Sequence, residues 1–226
     1  MQEDVASLGG IPPLLALLGG LSADAQLHAA EALSNLARGN PANQAAIAKA
    51  GGVRPLLAML QNKAQAYAAS ALGQLARGMP GNQDLIAQEG GLQPLVGLLS
   101  ASGSLVPQMA AFAVTEVCRG HAPNQTAAAE CGTVRALVEL LKDGKDEKVK
   151  EEAVGAIWVL SEGHADNKKA IALAGGIQPT AELVAKGTPR GQSLATLALA
   201  SLGLANVRNQ TEITTLLVGF LSTGGA

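Results

Sequence analysis

A repeat of about 42 residues runs through the chain and limits the possible folds more than any other feature. A glycine pair, or a close variant of it, returns at spacings of 42, 39, 42 and 43 residues, beginning at Gly9, Gly51, Gly90, Gly132 and Gly175. An asparagine column keeps nearly the same period, at Asn43, Asn82, Asn124, Asn167 and Asn209. Two independent columns with one period indicate a solenoid, because a period near 42 is typical of units of two or three helices.

Within each period, helix-breaking residues separate three helical segments. The longest segment has apolar residues at i, i+3, i+4 and i+7, as in Ala29, Ala32, Leu33 and Leu36, which predicts a third helix with one buried face. A glycine with positive φ is predicted to end this helix at Gly39, Gly78, Gly120 and Gly163. The asparagine column is predicted to be the N-cap of a short first helix. Prolines fit the first turn of the second helix, because the backbone N–H groups of a first turn have no partner within the helix and proline lacks this group.

The composition favours closely packed helices and excludes several classes of protein. With 48% hydrophobic but only 2% aromatic residues, the core has to be filled by alanine and aliphatic side chains. A net charge of −2 provides no basic surface for nucleic acid. We expect no signal peptide and no membrane span. Two cysteines, Cys118 and Cys131, are too few for a disulfide framework, so we expect a reducing compartment, the cytoplasm or the nucleus.

Three recurring motifs point to a known family. They are N-Q-x-x-I in the first helix, G-G-[IVL]-x-P-L-[LV]-x-L-L across the second, and A-x-x-A-L-x-x-L-A in the third. In these motifs the chain resembles the armadillo repeat family, which includes solenoids of the importin-alpha and beta-catenin kind. The resemblance implies an all-α fold, a right-handed superhelical α-solenoid of about five three-helix repeats. Its third helices would line one concave groove.

The resemblance implies a single solenoid over residues 1–226. The expected repeats cover residues 1–39, 40–78, 79–120, 121–163 and 164–205. The first helix of repeat one is nearly missing, and the last segment lacks the glycine pair. Residues 206–226 are therefore either a capping helix, made from fused first and second helices, or a partial repeat of a longer array.

The candidate binding residues lie beside the apolar stripe of each third helix. In the armadillo family an asparagine on the concave surface pairs with the backbone of a bound peptide, and Asn35 matches this asparagine. Gln74 keeps the amide, whereas Glu116 departs from the pattern. The residues expected to contact a partner are Asn35, Arg38, Tyr67, Gln74, Arg77, Phe112, Glu116, Arg119 and Leu197. The tryptophans that importin-alpha places four residues earlier are missing, which disfavours a nuclear-import receptor.

Two parts of this surface leave alternatives open. Arg38, Arg77 and Arg119, which are predicted to lie in the last turns of their helices, either bind carboxylates of an acidic segment or complement the helix dipole. In repeat five, an apolar patch either contacts a partner or a second copy, or is buried beneath residues 207–221. This patch consists of Leu194, Leu197 and Leu204.

The sequence predicts a non-enzymatic scaffold that binds a peptide segment or a partner subunit along the groove. The alternative is an assembly subunit that contacts its neighbours by its ends or its convex face. No cofactor or metal is expected. His121 and His164 are interpreted as solvated loop residues, and neither cysteine has an evident base beside it. The expected partner is a protein or peptide, with no nucleic acid and no membrane, and self-association through repeat five is a further expectation.

Overall fold

The computed structural model describes residues 8–142 and 146–222, and every regular element within these ranges is an α-helix. The helices are α1 (Ile11–Leu18), α2 (Ala23–Ala37), α3 (Pro41–Lys49), α4 (Val53–Met59), α5 (Gln65–Ala76), α6 (Pro80–Gln88), α7 (Leu92–Leu98), α8 (Leu105–Cys118), α9 (Ala122–Glu130), α10 (Thr133–Lys142), α11 (Glu147–Ser161), α12 (Ala165–Leu173), α13 (Ile177–Lys186), α14 (Pro189–Gly203) and α15 (Val207–Ser222). None of these described helices combines the length and apolar character that a membrane crossing requires. The start of repeat one, residues 1–7, and residues 223–226 of the expected terminal segment lie outside the described ranges.

The helices follow the predicted order of three per repeat. The first helices are α3, α6, α9 and α12, the second are α1, α4, α7, α10 and α13, and the third are α2, α5, α8, α11 and α14. Pro55 and Pro94 lie in the first turns of α4 and α7, as predicted. In the last segment one continuous helix, α15, takes the place of separate first and second helices.

The chain divides into a first compact unit that ends at Val117 and a second that begins at Cys118. In the first unit the third helices α2 and α5 pack together, and in the second α11 and α14 do so. Small residues on α2 and α5, such as Ala30 and Ala69, are fully buried, and small residues let neighbouring backbones approach closely. The apolar stripe of the third helices, which includes Leu33, Leu72 and Ile157, belongs to the core.

The asparagine column does not cap the first helices, so that prediction is wrong. The N-cap lies three residues earlier, where Asn40, His121 and His164 accept a bond from the backbone N–H of the asparagine. Those two histidines are therefore helix caps instead of solvated loop residues. The asparagine itself is buried in the first turn, and its side chain donates to a carbonyl seven residues back, in the last turn of the preceding third helix. The pairs are Asn43 with Leu36, Asn82 with Leu75, Asn167 with Leu160 and Asn209 with Leu202, at 2.8–2.9 Å.

The residue after the asparagine ties the first helix to the third helix of its own repeat. Its side chain donates to a backbone carbonyl at or just after the C-terminal end of that helix, where the helix leaves carbonyls without a partner. The pairs are Gln44 with Gln74, Gln83 with Glu116, Gln125 with Val159 and Lys168 with Leu204. In repeat five the ammonium of Lys168 replaces the glutamine amide, at 3.0 Å from the carbonyl oxygen. An Asn–Gln pair therefore fixes the ends of two successive third helices.

A left-handed residue follows the third helix in every repeat, as predicted for the glycines. Gly39, Gly78, Gly120 and Gly163 have φ between 65° and 68°, and a Cβ atom at any of them would meet no other atom within 4 Å. The backbone conformation alone therefore favours glycine there. In repeat five Ala205 takes the position with φ 58°, a conformation that is strained for alanine.

We expect Ala205→Gly to stabilise the protein by up to about 1 kcal/mol, because it relieves this strain and removes only an exposed methyl group. The matched variant Gly163→Ala introduces the same strain one repeat earlier and should lower the stability by a similar amount. The measurement is the midpoint of urea unfolding followed by circular dichroism. A lower midpoint for Ala205→Gly than for the wild type would contradict the expectation.

The second glycine of the pair makes room for an isoleucine of the first helix. A Cβ atom at this glycine would lie 2.7–2.8 Å from the isoleucine Cγ2 in three repeats, for Gly52 with Ile47, Gly91 with Ile86 and Gly176 with Ile171. Repeat four has Thr133 at the glycine position, and there Ala128 replaces the isoleucine. Both residues are fully buried, and the Thr133 hydroxyl donates to the Ala128 carbonyl. The two positions therefore change together.

Ala128→Ile is expected to destabilise the protein by roughly 1–3 kcal/mol, because the longer side chain meets Thr133 in a filled core. The double variant Ala128→Ile/Thr133→Gly recreates the pairing of the other repeats. We expect it to be more stable than the sum of the two single changes predicts, by at least about 1 kcal/mol. Urea unfolding of the four proteins measures this interaction free energy, and strictly additive changes would show that the two sites are independent.

Candidate functional site

The predicted site residues differ widely in exposure. Five of them are exposed, namely Asn35, Arg38, Arg77, Arg119 and Leu197, and Tyr67 is half-buried. Gln74 and Glu116, which share the position of Asn35 in the next two repeats, are only 6% and 4% exposed. Phe112 is buried as well. This position is therefore open to solvent in repeat one and closed in repeats two and three.

Three of the predicted residues form one cluster between α5 and α8. The guanidinium carbon of Arg77 lies 4.8 Å from the centroid of the Phe112 ring, and its Nη2 lies 3.4 Å from Glu116 Oε1. The Phe112 ring packs on α5 at Gly73, where a Cβ atom would lie 2.5 Å from a ring carbon. Gly73 thus allows an aromatic ring to rest on the helix backbone. Arg77, for which the sequence left open an acidic ligand or the helix dipole, is engaged with a ring and a carboxylate of the next repeat.

Unlike Asn35, which is exposed, Gln74 is buried. Its side-chain Oε1 is buried and has no hydrogen-bond partner among the described residues. Its backbone carbonyl accepts the bond from Gln44. A buried acceptor without a donor is costly, and here the side chain is too enclosed to pair directly with an extended ligand.

A shallow cleft of about 130 Å³ lies where α2, α5 and α8 meet in the first unit. We call it the third-helix cleft, and its lining residues are Glu31, Ser34, Asn35, Arg38, Ala66, Tyr67, Ser70, Leu105 and Met109. Ser34 and Ser70 face each other across α2 and α5, with their hydroxyl oxygens 2.8 Å apart. The cleft therefore combines apolar side chains with an amide, a guanidinium and a carboxylate.

Three of the residues expected to contact a partner line the cleft, and the sequence pattern missed Leu105. The structure brings together Asn35, Arg38 and Tyr67, whereas it places Phe112 and Glu116 in the cluster with Arg77. Leu105 precedes Glu116 by eleven residues, which is close to three helical turns, so it lies on the same helix face. This spacing was the available signal for Leu105.

The three arginines of the column lie just after their third helices, so the predicted place in the last turn is wrong. Arg38 and Arg77 are C-cap residues with ψ 111°, and Arg119 follows the end of α8. The guanidinium of Arg119 lies 5.6 Å from the centroid of the Trp158 ring, an aromatic contact that the sequence did not predict. Arg38 has neither a ring nor a carboxylate partner in the part of the chain that the structure describes. It is therefore the arginine of this column that is open to a ligand.

Helix α15 does not bury the apolar patch of repeat five, so that alternative is wrong. Leu197 and Leu204 are 44% and 68% exposed, although α15 packs against α13 and α14. A groove of about 460 Å³ remains between these three helices. Contact of Leu197 with a partner stays a prediction.

The cysteines and histidines are not gathered into a metal centre. Among the residues described, no three histidine, cysteine or acidic side chains are grouped to hold a metal ion. Burial raises the pKa of the Cys118 thiol to about 12, and burial followed by the nearby Glu130 raises the pKa of Cys131. Both thiols are protonated at neutral pH, so neither supplies the thiolate that a cysteine nucleophile requires.

Comparisons with known proteins agree with this architecture. A family model of the armadillo/beta-catenin-like repeat matches residues 2–38 and 121–162. One engineered protein of known crystal structure aligns over 96% of this chain and 90% of its own, with a TM-score of 0.87 and 28% identity. A second engineered protein aligns over 95% of this chain and 53% of its own, with a TM-score of 0.88 and 31% identity.

A designed armadillo repeat protein, solved in complex with the peptide (KR)4, has the same fold. It aligns over 94% of this chain and 90% of its own, with a TM-score of 0.85 and 24% identity. The search of curated proteins found no match.

The matched segments fall in repeats one and four, and the structural alignments extend over nearly the whole chain. The same order of three helices recurs in the repeats between and after those segments. Both the predicted fold class and the predicted resemblance to the family are therefore confirmed. The chain contains segments similar to the armadillo/beta-catenin-like repeat in repeats one and four, and it has the all-helical fold of armadillo repeat solenoids.

Proposed function

We propose that the protein is a non-enzymatic scaffold that binds an extended segment of a partner protein at the third-helix cleft. The cleft is the observation that supports this function, because it brings Asn35, Arg38 and Tyr67 together beside the apolar side chains of α8. In the proposed complex the Asn35 amide pairs with the partner's backbone. An apolar side chain of the partner enters the cleft, and a carboxylate binds Arg38.

The size of the cleft favours a side chain over a metabolite. Small-molecule sites typically enclose roughly 300–1,000 Å³, whereas the third-helix cleft measures about 130 Å³. Tyr67, Leu105 and Met109 offer apolar contact to one anchoring side chain. A shallow surface of this kind suits a peptide that makes several small contacts in succession.

The charges around the cleft favour a ligand with one acidic residue beside the apolar anchor. Arg38 is exposed, and a guanidinium can donate two parallel bonds to a carboxylate. Glu31 also lines the cleft and lies 3.5 Å from His28 Nδ1. A run of acidic residues would be repelled by the Glu31 carboxylate, so a single acidic residue near Arg38 is the better match.

Two designed relatives support peptide binding at the level of the fold. One was solved with the basic peptide (KR)4, and another is described as designed for modular peptide recognition. These proteins are 24% and 23% identical to this chain, so the ligand proposed here is argued from this chain's own residues. A lysine-rich ligand is disfavoured because Arg119 already lies against the Trp158 ring and Arg38 lines the cleft.

Selection from a displayed peptide library tests the proposal. We expect the selected peptides to share an apolar residue next to an acidic one. Tyr67→Ala should weaken their binding at least tenfold, because it removes an apolar wall of the cleft. Arg38→Ala should weaken binding about threefold to tenfold, the range of one ordinary hydrogen bond, because Arg38 is exposed and solvent screens its charge. Isothermal titration calorimetry with the full chain measures both changes.

Lys49→Ala on α3 is the matched control, because Lys49 is an exposed cation of a first helix and should leave binding unchanged. A second control exchanges the acidic residue of the peptide for lysine, which should weaken binding to the wild type and restore it to Arg38→Glu. If the selected peptides bind Tyr67→Ala and Arg38→Ala as tightly as the wild type, the cleft is not the binding site.

A further inference from the structure

The groove that α15 leaves open lies within the second unit, between α13, α14 and α15. We call it the repeat-five groove. It has a volume of about 460 Å³ and is lined mainly by apolar groups. Its lining includes Thr196, Ala200 and Leu204 of α14 and Gln210, Ile213 and Leu217 of α15.

The α14 wall of this groove corresponds to a face that the following third helix covers in repeats one and four, where α5 packs on α2 and α14 packs on α11. Thr196 and Ala200 are exposed. The position of Thr196 is fully buried in repeats one to four, where it is held by Ala30, Ala69, Ala111 and Val154. The position of Ala200 is held in repeat one by Ser34, which bonds to Ser70 of the following third helix. The groove is therefore the place where a sixth third helix would pack.

Gln210 indicates that the C-terminal end of such a helix would lie beside it. In repeats two to five the residue after the buried asparagine donates to a carbonyl at the C-terminal end of the third helix of its repeat. Asn209 keeps its own bond, to the Leu202 carbonyl at 2.9 Å. Gln210 follows it, is exposed, and has no hydrogen-bond partner for its amide within residues 8–142 and 146–222. Its side chain lies in the groove, against Gly203.

The direction of a helix that packs in the groove follows from the packing of α11 and α14. Near their N-terminal ends, Arg190 lies 3.1 Å from Glu151 and 2.7 Å from Glu152. Near their C-terminal ends, the hydroxyl of Ser161 donates to that of Ser201 at 2.8 Å. The two third helices therefore run parallel, and a further helix in the same arrangement would end beside Gln210.

We propose that the repeat-five groove binds an amphipathic α-helix of a partner protein, in the place and direction of the third helix of a sixth repeat. Small or apolar residues of that helix, spaced as i, i+3, i+4 and i+7, pack on Thr196, Ala200 and Leu204. A carbonyl of its last turn accepts the bond from Gln210. The amide of Gln210 favours a helix over a small apolar molecule, because the last turn of a helix has carbonyl oxygens without a partner that can accept its hydrogen bond.

A partner protein is a better source of this helix than a second copy of the chain. The apolar stripes of α2, α5, α11 and α14 are buried in their own units. A second copy would have to open one of its repeats to supply a third helix. The inference is independent of the proposed peptide function, because the third-helix cleft is formed by residues of the first unit.

Binding of a synthetic helix to the full chain tests the proposal. The probe is a fluorescein-labelled peptide with the sequence of residues 188–204, because α14 already packs in this way on α11. A staple on its polar face holds the peptide helical, so that the entropic cost of ordering a flexible peptide does not weaken the measured binding. Fluorescence anisotropy should show binding to the wild type and at least tenfold weaker binding of a stapled peptide with a scrambled sequence.

Variants on the two walls separate this groove from other surfaces. Thr196→Glu places a charge in the groove and should weaken binding at least tenfold. Gln210→Ala should weaken it about threefold to tenfold. Thr215→Glu is the matched control, because Thr215 is exposed on α15 but is not part of the groove lining, and binding should be unchanged. All three positions are exposed, so circular dichroism and the urea midpoint should match those of the wild type.

The direction of the bound helix provides a second readout. A nitroxide at the C-terminal end of the peptide should broaden the amide NMR signals near Gln210 more than those near Ser193, at the other end of α14. The opposite pattern would overturn the proposed direction.

Three kinds of result would overturn the proposal itself. One is that the peptide binds the wild type and Thr196→Glu equally, or fails to bind the wild type at concentrations up to about 1 mM. Another is a dimer of the chain, seen by light scattering, that Thr196→Glu dissociates, since the groove would then belong to a second copy. The third is that the dye 1-anilinonaphthalene-8-sulfonate binds in the groove while the peptide does not, which would assign it to small apolar ligands.

Discussion

Buried amide hydrogen bonds hold the ends of successive third helices, and the positions of the candidate binding residues depend on these bonds. In the first unit Asn82 donates to the Leu75 carbonyl of α5, and Gln83 donates to the Glu116 carbonyl of α8. Each such bond contributes only about 1 kcal/mol, but losing a donor leaves a buried acceptor unpaired. Since the backbone at Glu116 is held in this way, Phe112 one turn earlier is placed over Gly73 and within reach of Arg77.

The size of the side chains between neighbouring third helices decides where the surface is open. Between α5 and α8 a ring, a guanidinium and a carboxylate fill the space, because Gly73 leaves room for Phe112. Between α2 and α5 the corresponding contact is a pair of serine hydroxyls, Ser34 and Ser70. These short side chains leave the cleft beside Tyr67 unfilled. A fold made of similar repeats therefore obtains one local binding surface from a few differences in side-chain volume.

The sequence was sufficient to predict the resemblance to the family, the helices and the left-handed glycines, because each depends on a local pattern that recurs at the same position in every repeat. It was insufficient where the partner of a residue lies across a helix break. Asn43 has the residue type of an N-cap, yet its side chain reaches back to Leu36, and only the path of the chain shows this. The burial of Gln74 and Glu116 also could not be predicted from their position on one helix face, because a helical wheel treats each helix as isolated. The incomplete cover that α15 gives to Leu204 depends in the same way on tertiary packing.

The exchange of glycine and isoleucine for Thr133 and Ala128 restricts how segments of this chain can be recombined. A crossover between these two positions would join isoleucine with threonine, which is too bulky, or alanine with glycine, which leaves a void. Chimaeras cut there should fold poorly even when every helix is intact. Viable junctions are expected instead in the turn after a third helix, where a donor segment keeps both partners from one source and brings its own Asn–Gln pair.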